Sequence, residues 1–524
     1  MNGARALLST LVGAGVDVCF ANPGTSEMHF VAALDDVPAM RGVLTLFEGV
    51  ATGAADGFAR VAGHPAATLL HLGPGLGNGL ANLHNARRAR SPVVNIVGDH
   101  ATYHARFDAP LESDIASLAR PVSGWYRATA RADDVGADAA DAVAAAYGPP
   151  GQVATLVLPA DSSWTESTTG PCPPRPRAAS PEVAPATLEG VATVLRSGQR
   201  SALLLGGSAL RARGLHAASR ISGASGAPLL AETFPANLER GAGVPAVDRL
   251  GYLAEFAQAQ MAGLHHLVLV DARSPVSFFA YPDKASDLVP PGCTVHTLVR
   301  PGEDAPGALE ALAELLGAPP DGATPALAAR PGRPTGDLTT ETLAAAIGTT
   351  LPENAIVVDE GNTAGLFVAG ATAGAPRHDW LTLTGGAIGI GLPAATGAAV
   401  AAPERPVLCV QADGSAMYTL QALWTQAREG LHVTTVVLAN RSYAILNMEL
   451  HRVGADGGGP RARRLLDLTD PVLDFVALAQ GLGVPARRVE TAEGLTSALA
   501  ESFAEPGPSL IEIPLPGGPR ETAP

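Results

Sequence analysis

Short continuous apolar runs recur along the chain, and a longer segment of helical character follows each of them. VDVCFA, AATLLHL, PVVNIVG and ATLVLP fall in the first third, ALLLGG, HHLVLVD and CTVHTLV in the middle, and AIVVDEG, VLCVQADG, TTVVLAN and SLIEIP in the last. Continuous apolar runs bounded by Gly or Asp predict strands buried on both faces, hence parallel sheets. Their alternation with helices predicts an α/β chain of three doubly wound parallel-sheet domains. Two segments break the pattern. TESTTGPCPPRPRAASPEVAP (165–185) and GAPPDGATPALAARPGRPTGD (317–337) are rich in Pro and small residues, have no apolar period, and read as linkers. They divide the chain into domains at 1–165, 186–330 and 338–524. Ligands of such sheets sit beyond the carboxyl ends of the strands. FANPGT, LHLGPG, VDEGNT, VQADGS and VLANRS all fall there, so the chemistry is expected at those turns.

Composition narrows the class. The chain has 524 residues, room for domains of roughly 150 residues each. A formal charge of −15 with no basic run argues against a nucleic-acid partner, because phosphate contacts supply most of such affinity. Cys19, Cys172, Cys293 and Cys409 lie far apart without metal-ligand spacing, and Cys19 and Cys409 sit inside apolar runs, which reads as buried thiols. MNGARALLSTLVGAGVDVCF lacks the long apolar core and cleavage site of a signal peptide, and no run of about 18 apolar residues suits a membrane span. The expectation is a soluble, cytoplasmic protein with no membrane partner.

Asp413 ends the run VLCVQ and Ser415 opens the next helix; Asn440 ends VTTVVLA and Ser442 follows it. The 27 positions between Asp413 and Asn440 fit one strand–helix–strand crossover, which sets adjacent parallel strands about 4.8 Å apart. The two side chains then meet at one point. A carboxylate, an amide oxygen and a nearby carbonyl are hard oxygen ligands suited to Mg²⁺ or Ca²⁺. The helix N-terminus at 414–416 offers N–H groups and a favourable dipole to phosphates. Read alone, Asp413 is also an ordinary helix N-cap and Asn440 a turn residue.

ADGSAMYTLQALWTQA followed by LANRSYAIL resembles the diphosphate-and-magnesium motif of thiamine diphosphate-dependent 2-oxo acid decarboxylases and carboligases, in the acetolactate synthase and benzoylformate decarboxylase group. That motif runs GDG, a spacer of this length, then NN. Here Ala412 replaces the first Gly and Ala439 the first Asn. The resemblance implies Asp413, Asn440 and the Ser442 carbonyl as metal ligands, with Gly414, Ser415 and Tyr443 at the cofactor. FEGVATGAADGFAR resembles the family's catalytic-Glu segment and assigns that role to Glu48. A carboxyl there is expected to be desolvated, raised in pKa and able to share a proton with the cofactor ring; by itself Glu48 also reads as a helix-start carboxylate. FANPGTSEM resembles the family's NPG turn and places Thr25 on the substrate side. HLGPGLGN resembles the loop over the reaction centre and gives His71 a proton-transfer role, against an ordinary strand-end histidine. In TGGAIGIGLPAATGAAVA the family's pattern makes the Gly386 carbonyl an acceptor for the cofactor's amino group and Ile388 the apolar wedge beneath it. DEGNTAG puts Asn362 and Thr363 at the diphosphate. The resemblance therefore implies pyrimidine-binding, central and diphosphate-binding domains in that order.

The middle segment LLLGGSALRARG is not G-x-G-x-x-G and no acidic ribose partner stands out, so FAD is not expected. The decarboxylase branch carries a second catalytic His where SPVSFFAYPDKAS places Ala280. His100 and His104 in GDHATYHARFDAP are candidates to reach the centre instead, against reading them as solvated loop residues. That segment and LESDIASLARPVS resemble the acetolactate synthase branch. Glu449 in NMELHR stands near a bulky apolar position of the aromatic decarboxylases, and faces either a polar substrate group or solvent. Aromatic content is 4%, which does not suggest a stacked aromatic site.

The resemblance implies an enzyme dependent on thiamine diphosphate and Mg²⁺. It would decarboxylate a pyruvate-like 2-oxo acid and pass the acyl unit to a second carbonyl. Release of an aldehyde is the alternative, and a flavin-linked oxidase or an inactive cofactor-binding relative are further ones. An NAD(P) dehydrogenase would need a G-x-G-x-x-G turn after the first strand, and FANPGT is not that. In this family the cofactor lies between two subunits, implying a homodimer at minimum and a homotetramer as the usual form.

Overall fold

The structure is a computed structural model and describes residues 1–319, 328–455 and 459–515. Residues 320–327 of the second linker and 516–524 of the third domain lie outside the described residues. The eighteen strands are β1 Val18–Ala21, β2 Arg41–Leu44, β3 Ala66–Leu70, β4 Val93–Asp99, β5 Trp125–Ala128, β6 Val153–Pro159, β7 Ser201–Leu205, β8 Leu229–Ala231, β9 Leu238–Arg240, β10 Asp248–Arg249, β11 His266–Val270, β12 Thr294–Val299, β13 Ile356–Glu360, β14 His378–Thr382, β15 Val407–Ala412, β16 Val433–Ala439, β17 Ala486–Arg488 and β18 Ser509–Pro514. They form three sheets ordered β2-β1-β3-β4-β6-β5, β10-β8-β7-β11-β12 and β17-β18-β16-β15-β13-β14-β9.

Every apolar run named above is a strand. Most of the strands that carried no such signal are the edge strands β2, β5, β9, β10 and β17. An edge strand is not sandwiched on all sides, so it needs no continuous apolar run. Among the described residues all pairings between these strands are parallel except one. β9, from the middle of the chain, adds antiparallel to β14 at the edge of the third sheet, with His378 opposite Arg240. The middle segment therefore contributes to two sheets.

The first and third domains meet where the helix Glu48–Ala62 crosses the helix Gly391–Ala401. Small residues let the backbones touch. A methyl at Gly53 would lie 2.6 Å from Pro393 Cβ, one at Gly57 2.5 Å from Ala394 Cα, and one at Gly397 2.7 Å from the Ala54 carbonyl carbon. Beside the crossing, the Arg60 side chain is 2% exposed and its ion-pair partner Asp56 0%. Arg60 also donates to the Thr382 carbonyl (2.7 Å) and to Thr384 Oγ1 (2.9 Å), and Ser91 donates to Asp56. Asn237 of the middle segment donates to the Arg60 carbonyl at 3.1 Å. A buried pair so thoroughly hydrogen-bonded fixes one docking geometry, because breaking either half leaves a charge uncompensated.

Gly397→Ala is expected to destabilise the protein by about 1–3 kcal/mol through overpacking. Gly190→Ala is the control: in the helix Pro185–Arg196 a methyl there meets nothing within 4 Å, and helix propensity should add up to about 1 kcal/mol. Urea unfolding measures both, and equal shifts would show that the crossing tolerates wider spacing.

Candidate functional site

Two clusters of polar groups lie at strand ends. The first belongs to the first sheet. Phe47 enters in extended conformation and supplies no side-chain cap, so Glu48 starts its helix buried, at 6% exposure. Glu48 Oε2 accepts from Asn78 Nδ2 at 3.0 Å. A methyl at Gly75 would sit 3.1 Å from Glu48 Oε1, so glycine there brings the backbone of the helix Leu72–Ala89 up to the carboxylate. His71 follows β3, and Leu72 has the left-handed φ of 51° that turns the chain sharply after it. His71 Nδ1 lies 2.7 Å from Glu27 Oε2, which also accepts from the Gly24 amide at 2.7 Å. This pairing gives His71 an Nδ1–H and leaves Nε2 as its other functional atom. Burial pushes the Glu27 carboxyl up, opposed by His71 and the Gly24 N–H; Glu27 Oε1 is buried without a partner.

Sequence reading missed Glu27. Its only local signal is the third place of the turn Thr25–Glu27, and the pairing with His71 spans 44 positions. Thr25 begins that turn and is exposed. His100 follows β4, with its ring 5.3 Å from that of His104. His100 Nε2 is buried without a partner. Burial holds the neighbouring Asp99 carboxyl up, helped by Glu112 and Asp161. No hydrogen bond joins His100 or His104 to His71 or Glu27 among the described residues.

The second cluster belongs to the third sheet. β15 and β16 pair in register with Ala412 opposite Leu438, so Asp413 and Asn440 leave neighbouring strand ends. Asp413 is 3% exposed. Its Oδ1 accepts from the Gly414 amide (2.8 Å) and its Oδ2 from the Arg441 amide (2.6 Å). Arg441 has φ 57°, the left-handed turn that folds 440–442 back towards Asp413. Asn440 Oδ1 accepts from the Ser442 amide at 3.1 Å. Asn362, itself at φ 48°, donates to Ser415 Oγ at 3.0 Å; Thr363 beside it is exposed. A methyl at Gly414 would lie 2.5 Å from the Tyr443 ring, so glycine lets Tyr443 cover the turn. Burial holds the Asp413 carboxyl up while the two amides pull it down.

These donors suit a hard cation. Each Asp413 oxygen receives one backbone N–H and keeps a lone pair, and the Ser442 carbonyl accepts nothing among the described residues. The set is all oxygen, as Mg²⁺ prefers, and no group of three His, Cys, Asp or Glu forms a rival metal site among the described residues.

The glycine-rich loop 385–391 completes the cluster. His84 Nε2 lies 3.1 Å from the Gly385 carbonyl oxygen, and Asn85 takes both the Ala387 amide (3.3 Å) and its carbonyl (2.8 Å). Thr419 and Asn82 donate to the Gly389 carbonyl (2.9 and 3.4 Å). The carbonyls of the half-buried Gly386 and Ile388 have no donor among the described residues. Gly386 has φ 75°, and a methyl there would lie 2.6 Å from Phe278 Cζ. Among the described residues no hydrogen bond joins the Glu48–His71 cluster to the Asp413–Asn440 cluster. The link between their neighbourhoods is Asn82, whose Nδ2 donates to the Gly49 carbonyl (2.7 Å) as well as to Gly389.

The middle segment approaches with an aromatic group. Phe278 stacks with Tyr252 (5.2 Å), Phe234 (5.8 Å) and Phe279 (4.9 Å), and Ala280 after it is exposed. Glu449 faces protein: its Oε1 lies 3.7 Å from Arg452 Nε, and the Arg452 guanidinium sits 4.6 Å from the Tyr281 ring centre. At the glycine turn after β7, carboxylates of the chain face the backbone amides. Asp271 accepts from the Ser208 amide at 3.0 Å and pairs with Arg90. Glu232, at the end of β8, faces the Gly207 amide at 3.5 Å. Glu232 stands where an acidic ribose partner would, and sequence reading did not see it.

Residues 1–118 match the family model "Thiamine pyrophosphate enzyme, N-terminal TPP binding domain", and residues 361–513 match "Thiamine pyrophosphate enzyme, C-terminal TPP binding domain". A Mycobacterium tuberculosis protein named "Putative acetolactate synthase large subunit IlvX" is 63% identical over 98% of this chain and 99% of its own. The benzoylformate decarboxylase of Pseudomonas aeruginosa is 32% identical over 95% of this chain and 96% of its own. The structure of the thiamine diphosphate-dependent 4-hydroxybenzoylformate decarboxylase of Rhodococcus jostii superposes with a TM-score of 0.86 at 24% identity, covering 99% of both chains, a likeness of fold.

Burial pushes the Glu232 carboxyl from 4.5 up to about 7, opposed first by Arg90. A folded pKa above the unfolded one is stability present below 4.5 and lost as pH rises through 7. Relative to Glu232→Gln, wild type should gain at most about 3 kcal/mol between pH 8 and pH 5. Denaturant titrations across that range measure it, and a flat difference would show Glu232 ionised throughout.

Proposed function

Because the chain belongs to the thiamine pyrophosphate enzymes, we propose that it uses thiamine diphosphate and Mg²⁺ to decarboxylate a small 2-oxo acid and hand the acyl unit to a second carbonyl, as an acetolactate synthase does. The observation that carries the cofactor assignment is the pair of unpaired carbonyls at Gly386 and Ile388, in a loop whose other polar groups are mostly bonded. When bound, thiamine diphosphate supplies the carbon nucleophile and the electron sink that loss of CO₂ from a 2-oxo acid needs.

The chain's own groups divide the remaining work. Asp413, Asn440 and the Ser442 carbonyl hold Mg²⁺, while Gly414, Ser415, Asn362 and Thr363 receive the diphosphate at a helix start. Tyr443 closes over that turn. The Gly386 carbonyl would accept from the ring amino group of the bound cofactor, and Ile388 would give it apolar support. Glu48 holds a proton at the ring nitrogen from a buried position. His71, oriented by Glu27, moves a proton at the substrate through Nε2, with Thr25 beside it. His100 and His104 stand at the rim of the same sheet. Ala280 brings no acid, so the protonation that would release an aldehyde has one dyad to draw on, which supports ligation. The Phe234–Tyr252–Phe278 group favours the second reading, a decarboxylase of the benzoylformate type acting on a bulkier acid.

The site takes Glu48 from one subunit and Asp413 from another, making a homodimer the minimum and a homotetramer the working form. Exposed apolar side chains support this: Met28, Leu46 and Phe107 in the first domain, Leu366, Phe367 and Tyr418 in the third. Such patches mark interaction surfaces.

Purified protein with thiamine diphosphate and Mg²⁺ should release CO₂ from pyruvate and yield a ligated product by mass spectrometry. Glu48→Gln should lower turnover by about 10²–10⁴-fold. Accumulation of free aldehyde would replace ligation with simple decarboxylation. Gly24→Ala would push a methyl into the His71 ring; it should cut turnover by about 10²-fold while cofactor affinity, read by fluorescence quenching, holds.

A further inference from the structure

Glu360, the last residue of β13, is 1% exposed and has no ion-pair partner among the described residues. A buried carboxylate without a cation is costly unless hydrogen bonds surround it. Here they do, and most come from one loop. Oε1 accepts from the Gly389 amide at 2.6 Å, and Oε2 from the Gly391 amide at 2.7 Å and Gln411 Nε2 at 3.0 Å. The Ile390 amide also contributes. Gln411 stands opposite Glu360 in the β13–β15 register. A methyl at Gly391 would lie 2.8 Å from Glu360 Oε2, so glycine is what lets the loop come this close.

We infer that Glu360 is a positioning residue that opens the 385–391 loop towards its ligand. The argument is one of accounting. The loop holds three neighbouring N–H groups, at Gly389, Ile390 and Gly391, and two carbonyls without donors, at Gly386 and Ile388. Without Glu360 the loop would pair its own donors with those acceptors and close. By taking the Gly389 and Gly391 N–H groups onto one buried carboxylate, Glu360 leaves the Gly386 and Ile388 carbonyls for a donor from outside the chain. It touches the loop and not the ligand, so its effect is confined to the ring-binding half of the site. Among the described residues, Asp413, Asn440 and Ser442 make no hydrogen bond to it.

The inference rests on the thiamine diphosphate reading, and the test separates the two. Glu360→Gln keeps the shape and removes the charge, while its amide NH₂ opposes the loop N–H groups. Dissociation constants for thiamine diphosphate and for inorganic pyrophosphate, both with Mg²⁺, are compared with wild type. Losing a charge-assisted hydrogen-bond set should weaken thiamine diphosphate by about tenfold or more. Pyrophosphate, which uses only the Asp413 half, should stay within about twofold. Equal weakening of both, or of neither, overturns the role of Glu360. Wild type that binds pyrophosphate but not thiamine diphosphate overturns the cofactor reading itself. If Glu360→Gln fails to fold by thermal melting, Gln411→Leu removes one donor to the same carboxylate and should show the same selective loss to a smaller degree. An unchanged ratio there also overturns the inference.

Discussion

The close crossing of the Glu48–Ala62 and Gly391–Ala401 helices is the constraint the rest of the structure depends on, because it fixes how one chain holds two of its elements relative to each other. Each helix begins at a functional element: one at Glu48, the other at the end of the 385–391 loop. Glycines at 53, 57 and 397 let the two backbones touch, and the buried Arg60–Asp56 pair locks the docking by bonding to Thr382 and Thr384 across it. A helix pair fixed this firmly carries both elements as one rigid unit. Asn82 then ties the backbone beside Glu48 to the carbonyl of Gly389 in the same chain.

On that frame the structure buries three carboxyl groups away from any Arg or Lys partner among the described residues. Glu27, Glu360 and Asp413 are nearly inaccessible, and burial raises the carboxyl of each above its ordinary range. Each is held by hydrogen bonds rather than an aliphatic cation: Glu27 by His71 and Gly24, Glu360 by the loop amides, Asp413 by the amides of 414 and 441. Such groups orient neighbours at a cost in stability. They fit a site whose cationic components arrive with the ligand.

The middle domain has a different character. Its glycine turn has the shape of a nucleotide cradle, but Asp271 and Glu232 fill it from within and Arg90 of the first domain seals it. A diphosphate there would displace a carboxylate already paired. What this domain offers the site is Phe278 against Gly386, an apolar wall in place of a titrating group.

Much was legible in the sequence because it is written locally. Buried parallel strands need continuous apolar runs, so the inner strands stood out, while edge strands such as β10 and β17 did not. The turns after β13, β15 and β16 stood out too, because Gly, Asp, Asn and Ser gathered at strand ends are a local pattern. What the sequence hid was pairing across distance. Glu27 meets His71, Glu360 meets the loop amides, and Asp271 plugs the glycine turn of β7. Each residue taken alone reads as an ordinary helix start, strand end or surface charge. Local sequence fixes backbone conformation through sterics and burial, but a carboxylate's role depends on which donors the folded chain brings within about 3 Å of it, and only the tertiary fold decides that.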